Sequence, residues 1–408
     1  MTQSYNTTDF KKQFALEDQK IVLFGAGDIG ELANYSFNKL GITVDSFCDN
    51  DIEKRGQKYC GIDIMSFDDL LKFEKNTNIF ISNNYSSSIR SNLKSHGFTN
   101  IYDCVELLNK TDFSDQKFKC IHPLKVERRI EYYKNMCHKD EYTTSGVLNI
   151  KSLDVQVTER CSLKCTNCSN LMQYYERPVN EDLGKLFLAL DRFIECIDKI
   201  YEFRVLGGDP FMNKELHKVI DKLVSYKKVE KIIIYTNGKI VPKAANLTCL
   251  KNKKVILDIT NYGSISNKHE EIVKVCEENN ILYSATFPKF WQDCGKILPF
   301  QNRTEQEKKR KFIDCCNSDI LSLLKGKLYR CPFSANAENL NAIPVNKSDH
   351  IDLNDLQISK EDLKIKIKNL VYNKDYITAC DYCNGRDYTV KKVKAGEQTK
   401  KPLEFIRA

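Results

Sequence analysis

The 408-residue sequence contains no apolar run near the ~20 residues needed to cross a bilayer, so no membrane partner is expected. Its opening, MTQSYNTTDFKKQF, is polar and unlike a secretory signal, which predicts a cytoplasmic protein. The chain also lacks a basic arm or a basic stripe interleaved with aromatics. Its formal charge of +8 is spread as lysine, a pattern that fits a solvated surface and gives nucleic acid no footprint, while leaving room for an anionic small substrate. There is no internal repeat and no low-complexity tract. What is abundant is cysteine. Seventeen are many for a cytosolic chain, and without a short length or a leader they do not read as a disulfide framework; metal or redox chemistry in a reducing compartment fits better.

At ~150 residues per domain, two or three domains are expected. Residues 1–109 alternate strand-like stretches (KIVLFGAG, ITVDSFCD, NIFISN) with helix-like ones, the pattern of an α/β parallel sheet. Residues 110–150 turn polar and read as a linker or packing arm with one helix near 126–136. A second alternating series over 151–288 runs through SLDVQV, FRVLGG, KIIIYTNG, KVILDIT and ILYSATF, again α/β. Residues 289–408 break into short cysteine-bearing segments, which read as a small cluster-stabilised domain.

Cys161, Cys165 and Cys168 follow the strand SLDVQV in Cys-x3-Cys-x2-Cys spacing. Three thiolates leave one iron of a 4Fe-4S cube without a protein ligand, and that iron can chelate the amino and carboxylate groups of S-adenosylmethionine (SAM) for one-electron cleavage. The alternative is zinc or three buried cysteines, but zinc usually adds a fourth Cys or His at short spacing and neither stands beside this loop. The loop sits at the carboxyl end of a strand, where barrel active sites are built.

VTERCSLKCTNCSN resembles the signature loop of the radical SAM superfamily, and Gly207-Gly208-Asp209-Pro210 at the next strand end resembles that family's Gly-Gly-Glu-Pro stretch. The resemblance implies a partial (β/α)6 TIM barrel, with the backbone and Asp209 contacting the methionine amino group. Thr236-Asn237-Gly238 is placed like the family's strand-end segment near SAM. Two departures stand out: Asn167 replaces an aromatic residue common before the third cysteine, and Asp209 replaces Glu with a shorter reach.

Cys315 and Cys316 precede Gly326-Lys327-Leu328-Tyr329-Arg330-Cys331, and Cys380-x2-Cys383 follows. This run resembles the twitch and SPASM extensions of radical SAM enzymes, and with no cysteine after Cys383 the shorter twitch type is the closer match. The resemblance implies one auxiliary 4Fe-4S cluster saturated by four thiolates, with either Cys315 or Cys316 beside Cys331, Cys380 and Cys383. A zinc ribbon is the competing reading. Cys48, Cys60, Cys104, Cys196 and Cys249 read as small core residues, as does Cys294, with a spare ligand or hydrogen donor as the alternative for the last.

Near the front, Gly25, Gly27 and Gly30 form a Gly-x-Gly-x-x-Gly turn between a strand and a helix, and Asp49 ends the next strand. Such glycines admit phosphate to a helix start, and such an acid can bind ribose, though Asp28 brings negative charge to the same turn. The stretch from Lys20 to Cys104 resembles the small Rossmann-like domains of glycan-biosynthesis enzymes, which implies either a nucleotide or nucleotide-sugar site or a packing module.

Together these readings predict a radical SAM oxidoreductase that oxidises a carbinol carbon of a sugar or nucleotide-linked carbohydrate, fed by an electron donor such as flavodoxin or ferredoxin. Arg204, Tyr262 and Trp291 are the candidate substrate contacts. The rivals are a sugar epimerase, a peptide-modifying maturase, a NAD-dependent dehydrogenase with structural zinc, and a non-catalytic nucleotide-sensing partner.

Overall fold

The computed structural model describes residues 19–83, 86–114, 118, 126–137, 147–315, 320–386 and 390–407. The chain divides into two compact units, Met1–Thr144 and Ser145–Ala408. Among the described residues no helix is long and apolar enough to cross a membrane.

The first unit is built on β1 (Ile21–Phe24), β2 (Ser46–Cys48), β3 (Lys58–Tyr59), β4 (Ile62–Met65), β5 (Asn78–Ile81) and β6 (Ile101–Asp103), in the order β3-β4-β2-β1-β5-β6. Every pair is parallel except β3 with β4. Side chains alternate along β1: Ile21 and Leu23 join one apolar cluster with Leu32 and Phe37, and Val22 and Phe24 join another with Ile89 and Leu93. Both faces are therefore covered, as a parallel sheet requires. Part of the 110–150 stretch belongs to this core, since the helix Val126–Cys137 contributes Val126, Ile130 and Tyr133. The Tyr133 hydroxyl donates to the Ile81 carbonyl and accepts from the Cys104 amide.

In the second unit β7 (Asn149–Thr158), β8 (Lys199–Gly207), β9 (Val229–Thr236), β10 (Val255–Thr260) and β11 (Tyr283–Thr286) pair in succession, all parallel. Helices such as Leu183–Cys196 and Leu216–Ser225 form the crossovers, and each buries an apolar stripe. The sixth parallel strand does not continue this series. β12 (Phe290–Gln292) leaves to pair with β16 (Lys392–Lys394), and β13 (Ile320–Leu324) then joins the free side of β7. β14 (Lys327–Tyr329) and β15 (His350–Asp352) follow antiparallel, giving the order β11-β10-β9-β8-β7-β13-β14-β15.

Two expectations change here. The six parallel strands are not six successive βα units, and the sheet runs through the boundary placed at 288/289. The physical reason lies in β13, whose Leu321 and Leu323 are buried in the same apolar cluster as Leu153 and Val155 of β7. Short strands of residues 289–408 thus extend the sheet of the second unit.

The two faces of that sheet differ. On β7, Leu153, Val155 and Val157 enter the apolar core, while Ser152, Asp154, Gln156 and Thr158 are equally buried on the opposite face. Neighbouring strands repeat this, with Arg204 between Phe203 and Val205, Asp258 between Leu257 and Ile259, and Ser322 between Leu321 and Leu323. Register places Ser322, Asp154 and Arg204 side by side across β13, β7 and β8. Tyr235, Asp258 and Ser284 align across β9, β10 and β11.

Candidate active site

The loop after β7 is folded by its own backbone, with Cys168 N donating to Cys165 O at 3.2 Å and Leu171 N to Cys168 O at 2.9 Å. Cys161, Cys165 and Cys168 all open into one cavity of about 290 Å³ at the carboxyl ends of the strands. Each sulfur meets N–H donors. Cys161 accepts from Leu163 N at 3.4 Å and Asn237 Nδ2 at 3.5 Å, Cys165 from Gln398 Nε2 at 3.0 Å, and Cys168 from the backbone at Asn170, Leu171 and Met172. Burial pushes all three thiols up, Cys165 to about 12, and these donors work against it. Sulfurs surrounded by amide donors on a loop at a strand end form a donor set that suits a 4Fe-4S cluster with one open iron.

The Gly-Gly pair is required by close approach. A Cβ on Gly207 (φ +140) would stand 2.1 Å from Thr158 O, and one on Gly208 1.9 Å from Arg160 O. Both lie on the cavity wall, as do Thr236 and Asn237. Asp209, expected to meet a ligand's amino group, is held by the chain's own donors. It is 1% exposed; its Oδ2 accepts from Thr236 Oγ1 at 2.9 Å and Asn237 N at 3.0 Å, and its Oδ1 from Phe211 N at 3.1 Å. The shorter side chain thus braces two strand ends beside the cavity. Pro210 starts a buried turn, and Gly238 (φ +75) packs on Ser266; neither lines the cavity.

Deeper in the same cavity lie Asp154, Arg204 and Tyr235. Arg204 Nε faces Asp154 Oδ1 at 3.3 Å, and its guanidinium stands 5.2 Å from the Tyr235 ring centre. Burial pushes the Asp154 carboxyl up to about 6, against the pull of Arg204 and Arg386. Tyr262 and Trp291 meet edge to face at 5.4 Å on the wall. The sequence had singled out Arg204, Tyr262 and Trp291; Asp154, Tyr235 and Arg386 were missed. For Asp154 the signal was present, as polar residues at every second position of an otherwise apolar strand.

A second hollow is lined by Cys315, Cys331, Cys380 and Cys383, together with Cys294. Cys331 caps the helix Pro332–Asn339, its sulfur accepting from Ser334 N at 3.2 Å, and Cys383 accepts from Gly385 N at 3.4 Å. Burial pushes Cys380 up to about 12. Cys316 lies outside the described residues. Cys294 and Arg386 line both hollows, so Cys294 is not the plain core residue its sequence neighbourhood implied. Among the described residues no three His, Cys, Asp or Glu side chains are drawn together as a single metal ion requires.

In the first unit, Gly25 (φ +129) and Gly30 are held by contact, since a Cβ on either would stand 2.6 Å from Ser82 O or 2.2 Å from Gly25 O; Gly27 faces open space. Asp49, the expected ribose-binding acid, is held by the chain's own donors. Its Oδ2 accepts from Ala26 N and Lys54 Nζ, each at 2.9 Å, and its Oδ1 from Asp51 N. An internal ion pair takes up the acid at that strand end, and Asp28 pairs with Arg129.

Residues 17–101 match the family described as C2185-like, N-terminal. The GTP 3',8-cyclase of Clostridium acetobutylicum is 30% identical over 135 residues, 33% of this chain and 40% of that protein. That of Helicobacter pylori is 28% identical over 133 residues, 32% and 39%. The chain thus spans about two fifths of the length of these relatives. Among solved structures, BtrN in complex with AdoMet and 2-DOIA is 14% identical, with 62% of this chain and 97% of that chain covered at a TM-score of 0.37. Streptococcus suis SuiB bound to S-adenosylmethionine is 10% identical, with 66% and 76% covered at a TM-score of 0.30.

Proposed function

We propose that the protein is a radical SAM oxidoreductase that oxidises a carbinol carbon of a sugar or nucleotide-linked carbohydrate. The observation that carries this reading is the adjacency of two thiol-lined hollows, one edged by Cys161, Cys165 and Cys168 and the other by Cys315, Cys331, Cys380 and Cys383, with Cys294 and Arg386 in the lining of both. Three or four cysteine sulfurs edging one hollow make a ligand set that suits an iron-sulfur cluster.

Cys161, Cys165 and Cys168 would hold a 4Fe-4S cluster that, with SAM, would supply a hydrogen-abstracting radical, and the cysteines of the second hollow would hold a cluster able to accept the remaining electron. The chain's own groups position the rest. Gly207 and Gly208 let the β8 end close against the loop, and Thr236 and Asn237 line the wall that SAM would face. The floor built from Asp154, Arg204 and Tyr235 offers hydrogen-bonding groups to a hydroxylated substrate. In the first unit, read as a Rossmann-like domain, the internal pairing of Asp49 with Lys54 favours a packing role over a nucleotide site. A flavodoxin- or ferredoxin-type donor would feed the first cluster.

Anaerobic reconstitution tests the reading. Wild-type protein is expected to hold iron and sulfide, cleave SAM under reduction, and remove two mass units from a sugar or sugar nucleotide. Cys383→Ala is expected to keep SAM cleavage and lose net oxidation. Retention of zinc alone, with activity independent of SAM, sinks the proposal.

A further inference from the structure

The residues that follow β16 take no part in the reaction proposed above, yet they are tied to its centre. After a turn at Gly396 (φ +72), Glu397 to Thr399 run antiparallel to the cysteine loop: Thr166 N donates to Glu397 O and Thr399 N to Lys164 O, each at 2.8 Å, and Cys165 pairs with Gln398 as an isolated bridge. Further on, Leu403 N donates to Gln173 O at 2.9 Å. The Gln398 side chain closes on the loop twice. Its Oε1 accepts from Lys164 N at 2.7 Å, and its Nε2 donates to Cys165 Sγ at 3.0 Å and to Gly396 O at 2.7 Å. The turn itself is fixed against the cavity wall, because a Cβ on Gly396 would stand 3.0 Å from the Tyr262 ring.

We propose that residues 396–403 are a strap that seats the cysteine loop, and that Gln398 is a positioning residue whose amide N–H sets the reduction potential of a cluster held by Cys161, Cys165 and Cys168. This rests on the reading of that loop as a cluster site. Hydrogen bonds to the sulfurs are among the determinants of an iron-sulfur potential. An N–H aimed at a ligand sulfur places positive charge beside a centre that becomes more negative on reduction, so it favours the reduced state. At 3.0 Å the Gln398 contact is shorter than the 3.4 and 3.5 Å contacts at Cys161. Gln398 is itself exposed while Cys165 is buried, so the amide stands where water would otherwise reach that sulfur. The 233 residues separating the pair mean that the loop's own sequence does not provide this donor.

Two full-length variants separate seating from electronics. Q398L removes all three side-chain bonds; Q398E keeps an acceptor for Lys164 N–H and removes the donor to sulfur and to Gly396 O. In iron-free protein, hydrogen-deuterium exchange of the peptide carrying Lys164 to Thr166 is expected to rise at least tenfold in Q398L, with K400A, an exposed change in the same segment, unchanged. In reconstituted protein, the midpoint potential is read on the cluster whose electron paramagnetic signal responds to added SAM. Q398L is expected to shift that equilibrium about tenfold toward the oxidised form, about 59 mV for one electron, and Q398E to shift it further in the same direction. Unchanged exchange in Q398L, or an unchanged or raised potential in Q398E, overturns the proposal. Failure of those three cysteines to retain iron instead overturns the cluster reading, while the exchange comparison still decides whether the strap seats the loop.

Discussion

The two units use a parallel sheet in opposite ways. In the first, neighbouring residues of β1 enter apolar clusters on either side, so both faces serve stability. In the second, alternate residues of β7 enter an apolar core while Ser152, Asp154, Gln156 and Thr158 are buried on a polar face. The strand ends follow suit. Asp49 is consumed by Ala26 and Lys54, whereas the loop after β7 opens three thiols into a cavity. A sheet filled on both faces is a scaffold; one that buries polar groups gives up stability for a site.

The sharpest break in this comparison is expected from a cysteine of the loop after β7 and one that ends β2. Cys165→Ala should abolish reductive SAM cleavage in reconstituted protein, whereas Cys48→Ala, at the fully buried end of β2, should change stability and leave cleavage per folded molecule intact. The yield of 5'-deoxyadenosine at equal iron loading measures both, and equal yields from the two variants would erase the distinction.

Next in size is a purely structural loss in the first unit. Phe80 is 0% exposed and its ring lies 5.0 Å from Phe37 at a near-perpendicular angle. Phe80→Ala should destabilise that unit by about 3–5 kcal/mol through lost burial and the cavity left behind. Urea titration followed by limited proteolysis would show whether the loss stays within residues 19–137.

How much of this was legible follows the same divide. The parallel sheets were readable because apolar runs such as IVLF and NIFI sit between helical periods, and the cysteine loop because its spacing is local. The departure of β12 and the return of β13 to β7 were not, since strand pairing across about 100 residues in one case and 168 in the other leaves no local trace. The partners of Asp209 and Asp49 within the chain were not legible either, because they come from other strand ends and loops. The contact of Gln398 with Cys165 is more distant still, and a lone glutamine in AGEQTK carries no motif.

The polar face also predicts a pH signature. The Asp154 carboxyl is pushed up to about 6 by burial, from an unfolded value near 3.9. Folding therefore favours its protonated form. Below about pH 4 both states carry the proton and there is no penalty; the penalty grows through pH 4–6 and is full above, on the order of 2–3 kcal/mol. Asp154→Asn should accordingly be more stable than wild type by about that amount at pH 7–8, with the difference vanishing below pH 4. Denaturant titrations at pH 4 and pH 8 check this, and a pH-independent difference would mean that Arg204 already neutralises the buried charge.

The smallest expected effect isolates the polar face from its charge. Gln156 is 1% exposed, and among the described residues neither its Oε1 nor its Nε2 has a hydrogen-bond partner. A buried amide left unpaired costs about 1–3 kcal/mol, so Gln156→Met, close to it in length and free of that cost, should stabilise the second unit by about 1–2 kcal/mol. The mirror change in the first sheet should go the other way. Val22, 0% exposed on β1, packs among apolar neighbours, and Val22→Thr should destabilise by a similar amount because its hydroxyl gains nothing there. Opposite signs would establish that the buried polar residues of β7 are not kept for stability. A loss of stability in Gln156→Met would instead mean that ordered water already satisfies the amide, and that this face resembles the first sheet more closely than its composition implies.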